Sequence, residues 1–405
     1  MTKFLLLITI PFIISLNPKK CQELGNDIIY IGVNDHTLDF WEKQFKIPNG
    51  MAYNSYIVLD DKITIFDTVN AGFLSEWLQN IKAVLKGKQP DYLIIHHMEP
   101  DHSANVDEFI KLYPKTTVVA SKQSFVMMKN YFGTDYSSTR KIVTEGDTLN
   151  TGKHTFSFIE APMVHWPEVI VTYDVTSKAL FSSDGFGKFG ALDVDEPWDD
   201  EARRYFINIV VKYGPQTQAL LKKVGKIEVK MICPSHGPIL TENLGHYISL
   251  YDKWSSYTSE EDGVVIVYTS IYGHTQKAID LLVDELKKNG VKKIITHDVS
   301  IFDISKAVAD AFRYSKLILA TTTYYTDMFP WMRHFIYKLV ESNFQKKTIG
   351  FIENGSWAPN AINNMKKMLE NCKKLKYLKS EVTIHSALNE KSRKAIENLA
   401  KEISE

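Results

Sequence analysis

Four side chains able to ligate a metal fall within six residues in His97-Met98-Glu99-Pro100-Asp101-His102, directly after the apolar run Tyr92-Leu93-Ile94-Ile95. A loop at the carboxyl end of a buried strand is where α/β proteins usually place their chemistry. In an extended chain His97 and Glu99 point the same way, while His96 turns to the opposite face. Pro100 bends the backbone, so Asp101 and His102 can face a second point nearby, and one loop can serve two metals. Three later segments each add an imidazole or a carboxylate after a strand or in a turn: Met163-Val164-His165-Trp166-Pro167, Phe181-Ser182-Ser183-Asp184-Gly185 and Ile232-Cys233-Pro234-Ser235-His236-Gly237-Pro238. Alone, His165 reads as an ordinary histidine and Asp184-Gly185 as a turn. The histidine-rich loop gives them their weight.

A second constellation is Thr269-Ser270-Ile271-Tyr272-Gly273-His274-Thr275, which joins the apolar run Val264-Val265-Ile266-Val267-Tyr268 to an amphipathic segment. It contains neither GxGxxG nor GK[ST], which argues against a dinucleotide fold or a nucleotide triphosphatase. Hydroxyls and backbone N–H groups at a helix N-terminus bind phosphate without lysine or arginine. That chemistry suits the monophosphate of FMN. Two further loops, Thr321-Thr322-Thr323-Tyr324-Tyr325-Thr326-Asp327 and Glu353-Asn354-Gly355-Ser356-Trp357-Ala358, also follow strand-like runs. Tyr324 or Trp357 can stack on a flavin ring.

The elements that must position these loops change rhythm along the chain. Up to about residue 254, short strands dominate; Asp60-Asp61-Lys62 reads as a hairpin turn, and the order is not a simple βαβα repeat. Two packed sheets with helices outside are expected there. Residues 255–262 are polar and lack apolar periodicity, so they are expected to link two domains. Beyond them the spacing predicts strands over 264–268, 293–297, 316–320, 348–352 and 381–386, and helices over 275–289, 330–341, 359–372 and 390–403. That alternation is the signature of a doubly wound, flavodoxin-like parallel sheet.

Lysine plus arginine and aspartate plus glutamate number 48 each among 405 residues, so no net field attracts nucleic acid or an anionic membrane. With 44% hydrophobic and 24% charged residues, the chain can bury two ordinary cores. Cys21, Cys233 and Cys372 are far apart and form no CxxC pair, which argues against a disulfide framework, a zinc ribbon or a fused rubredoxin-type iron site. The apolar run over residues 4–16 is too short to span a membrane. Pro11 within it, a single preceding lysine and the absence of a small-residue cleavage site argue against secretion. The cytoplasm is the expected location; the alternative is a hydrophobic leader within residues 1–21 that directs the chain to an organelle or membrane.

The pattern H-x-E-x-D-H followed by a histidine, an aspartate and a histidine resembles the metallo-β-lactamase superfamily, and within it the A-type flavodiiron proteins. Gly190-Ala191-Leu192, Glu201-Ala202-Arg203-Arg204-Tyr205 and Met231-Ile232-Cys233-Pro234 extend the resemblance, which covers nearly the whole chain from about Ile28. It implies an αββα metallo-β-lactamase-like sandwich over residues 22–254 and a flavodoxin-like domain over 263–405. It also implies that His97, Glu99 and His165 hold one iron, that Asp101, His102 and His236 hold the other, and that Asp184 bridges them. Tyr205 and His36 are candidates for the surroundings of the metals. The flavin loops would use Thr269, Ser270, Ile271, Tyr272, Gly273, His274, Thr275, Thr322, Thr323, Tyr324, Tyr325, Asn354, Gly355, Ser356 and Trp357. Two positions depart from the family: His274 stands where asparagine or serine is usual, and Thr322 where proline is common.

The implied activity is electron transfer from an external donor, such as rubredoxin or a flavin reductase, through FMN to a diiron centre that reduces dioxygen to water or nitric oxide to nitrous oxide. A head-to-tail homodimer, or a dimer of dimers, goes with it. The hydrolytic relatives carry a histidine where this chain has Glu99, and a carboxylate there is a harder donor that suits iron better than zinc. Two other classes remain open: a flavodoxin-type electron carrier on a catalytically silent scaffold, and a zinc-dependent hydrolase. Metal and FMN analysis separates all three.

Overall fold

The computed structural model describes residues 21–301 and 303–405, so the expectations for the N-terminal apolar run lie outside the described residues. The chain forms two compact units, one of residues 21–37, 49–198 and 222–249, the other of residues 38–48, 199–221 and 250–405. Among the described residues no helix is long and apolar enough to cross a membrane.

The first unit contains two main sheets. One orders its seven strands as Glu23–Gly25, Ile28–Tyr30, Tyr56–Val58, Thr64–Phe66, Tyr92–Ile94, Thr117–Ala120 and Arg140–Ile142. The predicted hairpin is there: Tyr56–Val58 pairs antiparallel with Thr64–Phe66 around Asp60 and Asp61. The other orders Thr148–Asn150, Thr155–Glu160, Ile170–Asp174, Ala179–Phe181 and Met231–Cys233. Their inner faces share one core, in which Tyr56, Phe66, Ile94 and Val119 of the first sheet meet Phe156, Phe158, Ile170 and Phe181 of the second. Phe66 and Phe181 stack with centroids 4.0 Å apart, and Phe156 packs edge-on against Phe66 at 5.2 Å. Fully burying such side chains contributes roughly 1.5–3 kcal/mol each.

This packing aims the loops. Ala179–Phe181 and Met231–Cys233 pair in parallel with Phe181 opposite Cys233, so the segments leading to Asp184 and His236 leave from one end. Thr172 lies opposite Phe181, which brings the turn between Thr155–Glu160 and Ile170–Asp174 to the same end.

In the second unit the parallel sheet runs Ile294–Asp298, Glu261–Tyr268, Tyr314–Tyr324, Thr348–Asn354 and Lys376–Ile384. In chain order this is 2-1-3-4-5, the flavodoxin-like winding, whose ligand crevice lies between the first and third strands at their carboxyl ends. Two local expectations are corrected. A helix over Ile304–Arg313 supplies the crossover between the second and third strands, where none was expected. The third strand also extends to Tyr324 and folds back through Tyr325 and Thr326, both with positive φ, onto Asp327–Met328, so Thr321–Tyr324 is strand rather than loop.

Replacing Phe181 with alanine is expected to cost about 3–5 kcal/mol. Chemical denaturation should show the transition of the sandwich unit moved to lower denaturant, with that of the parallel-sheet unit unmoved.

Candidate metal centre and flavin pocket

Pro100 opens a one-turn helix, Pro100–Ser103, which lifts Asp101 and His102 away from the direction taken by His97 and Glu99. Proline fits that first helical position because its missing N–H would have no partner there. Ser103 Oγ donates to the carbonyls of Met98 and Glu99 and locks the bend. Ser183 adopts φ +53, a conformation uncommon outside glycine, and turns Asp184 inward.

The result is two groups of convergent donors: His97, Glu99, His165 and Asp184 in one, Asp101, His102 and His236 in the other, with the donor atoms of each group within 4.8 Å of one another. Asp184 belongs to both in effect. Its Oδ2 lies 3.0 Å from His165 Nε2 and 3.6 Å from His97 Nε2, whereas its Oδ1 lies 3.1 Å from His102 Nε2 and 3.7 Å from His236 Nε2. Glu99 Oε2 approaches His165 Nε2 at 3.1 Å, and Asp101 Oδ2 approaches His236 Nε2 at 3.3 Å.

The donors fit metal ions. Both oxygens of Asp101 and both of Asp184 are buried without a hydrogen bond; their close histidine neighbours are placed as charge partners, not as aligned donors. His102 Nε2 and His236 Nε2 lie 3.0 Å apart, and His236 Nδ1 donates to the Ala52 carbonyl at 2.7 Å, which turns the lone pair of its Nε2 toward His102. Imidazole nitrogens that converge on one point among buried carboxylates suit a cation, a proton or a metal ion.

Burial alone would lower the pKa of these rings, yet the carboxylates outweigh it. Glu168, Glu99 and Asp184 hold His97 up to about 10, Asp184 and Glu99 hold His165 up to about 10, and Asp101 and Asp184 hold His102 up to about 9. Burial would raise Asp184, but the surrounding imidazoles, His102 foremost, pull it well below the usual carboxylate range. Protons and divalent cations therefore compete for the same nitrogens.

In the parallel-sheet unit a cavity of about 670 Å³ opens at the crevice the winding predicts, within the roughly 300–1,000 Å³ typical of ligand pockets. Its walls include Ser270, His274 and Thr275 from the first loop, Thr322 and Thr323 from the second, and Asn354, Gly355, Ser356 and Trp357 from the third. Gly273 takes φ +81 and starts the helix His274–Lys288, where Ser270 Oγ accepts the Gln276 N–H at 3.2 Å and the N–H groups of the first turn face the loop. Thr275 Oγ1 and Thr322 Oγ1 are buried without partners. A helix N-terminus and two orphaned hydroxyls facing one cavity suit a phosphate. At its mouth, Tyr272, Tyr325 and Trp357 are 89%, 86% and 83% exposed, so a planar ring system would gain their contact.

Residues 51–237 match the family model described as ODP family beta lactamase. The chain is similar to a flavodiiron protein from Giardia intestinalis with a TM-score of 0.89 at 24% identity, covering 96% of this chain and 97% of that one. The rubredoxin oxygen:oxidoreductase of the anaerobe Desulfovibrio gigas gives a TM-score of 0.88 at 24% identity, with 95% and 97% coverage. The chain shares the fold of these two proteins. A nitric oxide reductase of Moorella thermoacetica is 28% identical over 318 residues, 76% of this chain and 79% of that protein. A diflavin flavoprotein of Synechocystis is 28% identical over 71% of this chain, which spans about half (50%) of that relative's length.

Within this fold the seven expected metal ligands all lie in the two clusters. His36 and Tyr205 do not: His36 is exposed and pairs with Asp193 at 2.9 Å, and Tyr205 packs against Trp41 with centroids 5.9 Å apart. His96 faces away as its alternation implies, held by Asp67 at 2.6 Å and Thr172 at 2.9 Å. Of the flavin residues, Thr269, Gly273 and Tyr324 are not part of the cavity wall. Thr269 bonds Thr321 hydroxyl to hydroxyl at 2.7 Å, and Tyr324 packs on Phe329.

The sequence reading missed Glu168, which accepts from His97 Nδ1 at 2.7 Å, and it missed Thr326, Ala358 and Ser386 in the cavity wall. Glu168 had a signal, an acid three residues after His165. Ser386 had none, because its place comes from reciprocal bonds with Asn354 across the last two strands.

Loading the metal-free protein with a divalent cation near pH 7 is expected to displace up to three protons, from His97, His102 and His165. A weakly buffered solution should acidify on metal addition, and metal affinity should fall as pH is lowered from about 9. Asp184→Ala should strip metal from both positions while flavin stays bound. Thr275→Val should weaken FMN binding roughly tenfold or more, read by flavin fluorescence.

Proposed function

We propose that the chain is an FMN- and iron-dependent oxidoreductase. It takes electrons from an external donor such as rubredoxin or a flavin reductase, passes them through FMN to a diiron centre, and reduces dioxygen to water, nitric oxide to nitrous oxide, or both. The observation that carries this reading is Asp184, whose two oxygens each serve one of two triads made of two imidazoles and one carboxylate. The named activities of the Moorella and Desulfovibrio relatives support both gases. On this reading residues 22–254 carry the metals, 263–405 carry the flavin with 255–262 between them, and the protein works in the cytoplasm.

When bound, FMN supplies one- and two-electron exchange, and the iron pair supplies open coordination positions at which a diatomic molecule is reduced. The residues set the terms. His97 and Glu99 with His165 would hold one iron, Asp101 and His102 with His236 the other, and Asp184 would span both. Glu99, 12% exposed at its side chain, is the most accessible of the ligands and marks the side from which a small gas enters. Ser270, Thr275 and the first turn of His274–Lys288 would hold the FMN phosphate, and Trp357 and Tyr325 would cover its ring.

Those exposed rings also favour a head-to-tail homodimer or a dimer of dimers, in which one chain's flavin pocket faces another chain's metal loops. Light scattering of the holoprotein should then give a dimer or tetramer mass.

The deciding experiment is anaerobic stopped-flow of the fully reduced, iron- and FMN-loaded protein against dioxygen and nitric oxide separately. Rapid reoxidation of flavin by at least one gas is expected. Reoxidation no faster in the native protein than in Asp184→Ala would refute the reading.

A further inference from the structure

The two halves of the metal site have the same inner donors: two imidazoles, one carboxylate and one oxygen of Asp184. They differ in the length and exposure of that carboxylate, Glu99 against Asp101, and more sharply in what stands behind the imidazoles. His97 Nδ1 donates to Glu168 Oε1 at 2.7 Å, and the same oxygen accepts the Met98 N–H at 2.8 Å. Glu168 is only 2% exposed, and its second oxygen is buried without a hydrogen bond, so few donors share its charge. On the other side His236 Nδ1 donates to a neutral acceptor, the Ala52 carbonyl, at 2.7 Å, and His102 Nδ1 is buried without a hydrogen-bond partner. One position is therefore backed by a full negative charge and the other by a peptide dipole.

We propose that Glu168 is a positioning residue that makes the two metal positions unequal, so that the His97 position takes up a divalent cation first and favours the more highly charged ion. The inference rests on the two-metal reading above. An anionic acceptor fixes the tautomer and ring plane of its histidine and raises the ring's donor strength. In a buried site its charge also acts on the cation through a low dielectric. The same loop that supplies His165 as a ligand supplies Glu168, and Trp166 between them packs edge-on against His97 at 5.0 Å, so one segment sets both first and outer contacts of this position.

The test is anaerobic titration of the metal-free full chain with cobalt(II), followed by its absorption bands, and redox titration of the iron-loaded protein. Native protein is expected to fill in two unequal steps. Glu168→Gln keeps the size and an acceptor oxygen but removes the charge; it should weaken the tighter step roughly 10–100-fold and leave the weaker one in place. With iron bound, each position gives up one electron to the titrant, and Glu168→Gln should raise the lower of the two potentials toward the other. Glu168→Asp, which restores the charge, should return unequal filling, and it serves as the test if the glutamine variant does not fold. Two equal steps in the native protein, or equal weakening of both steps in Glu168→Gln, would overturn the proposal. Absence of any cobalt uptake by native protein would instead overturn the two-metal reading.

Discussion

Charge balance in a closed space governs the first unit. Glu99, Asp101, Asp184 and Glu168 bring four carboxylates into a region that water scarcely reaches, and four imidazoles converge on them. Burying so much negative charge is costly unless cations or protons compensate it. The strands, the proline bend and the left-handed Ser183 hold these groups together despite that cost. Such groups gather only where a rigid scaffold opposes their separation, and the stacked phenylalanines under the loops are that scaffold.

The second unit meets a different constraint. Its crevice carries no excess of cations; it offers backbone N–H groups, hydroxyls and rings. Phosphate binding by dipoles would leave a flavin ring bound there in a weakly charged setting. The units thus divide the electrostatic labour: one concentrates charge, the other avoids it.

Much of this was legible from local sequence. The six-residue loop from His97 to His102 announced two metals because its alternation and proline bend are local facts, and the winding of the flavin unit followed from strand and helix spacing. The helix Ile304–Arg313 was overlooked although Ile304, Ala307, Val308, Ala311 and Phe312 follow a clear helical stripe. Glu168 stood three residues from His165, but what it does there was not legible. Its partner His97 lies 71 residues away, and no local pattern reports a contact made by folding two sheets together. His36 and Tyr205 were candidates for the surroundings of the metals; His36 pairs with Asp193 and Tyr205 packs on Trp41.

The hydroxyl pair Thr269–Thr321 ties the first two flavin loops together beneath the cavity, and the reciprocal Asn354–Ser386 bonds tie the third to the strand beyond. These ties are made by the polypeptide to itself. The cradle therefore stands ready-shaped, and an arriving cofactor spends little of its interaction energy on ordering loops. Exchange of a cofactor held there would then be a matter of residence time, set by how often its ring escapes from under the outer aromatic residues.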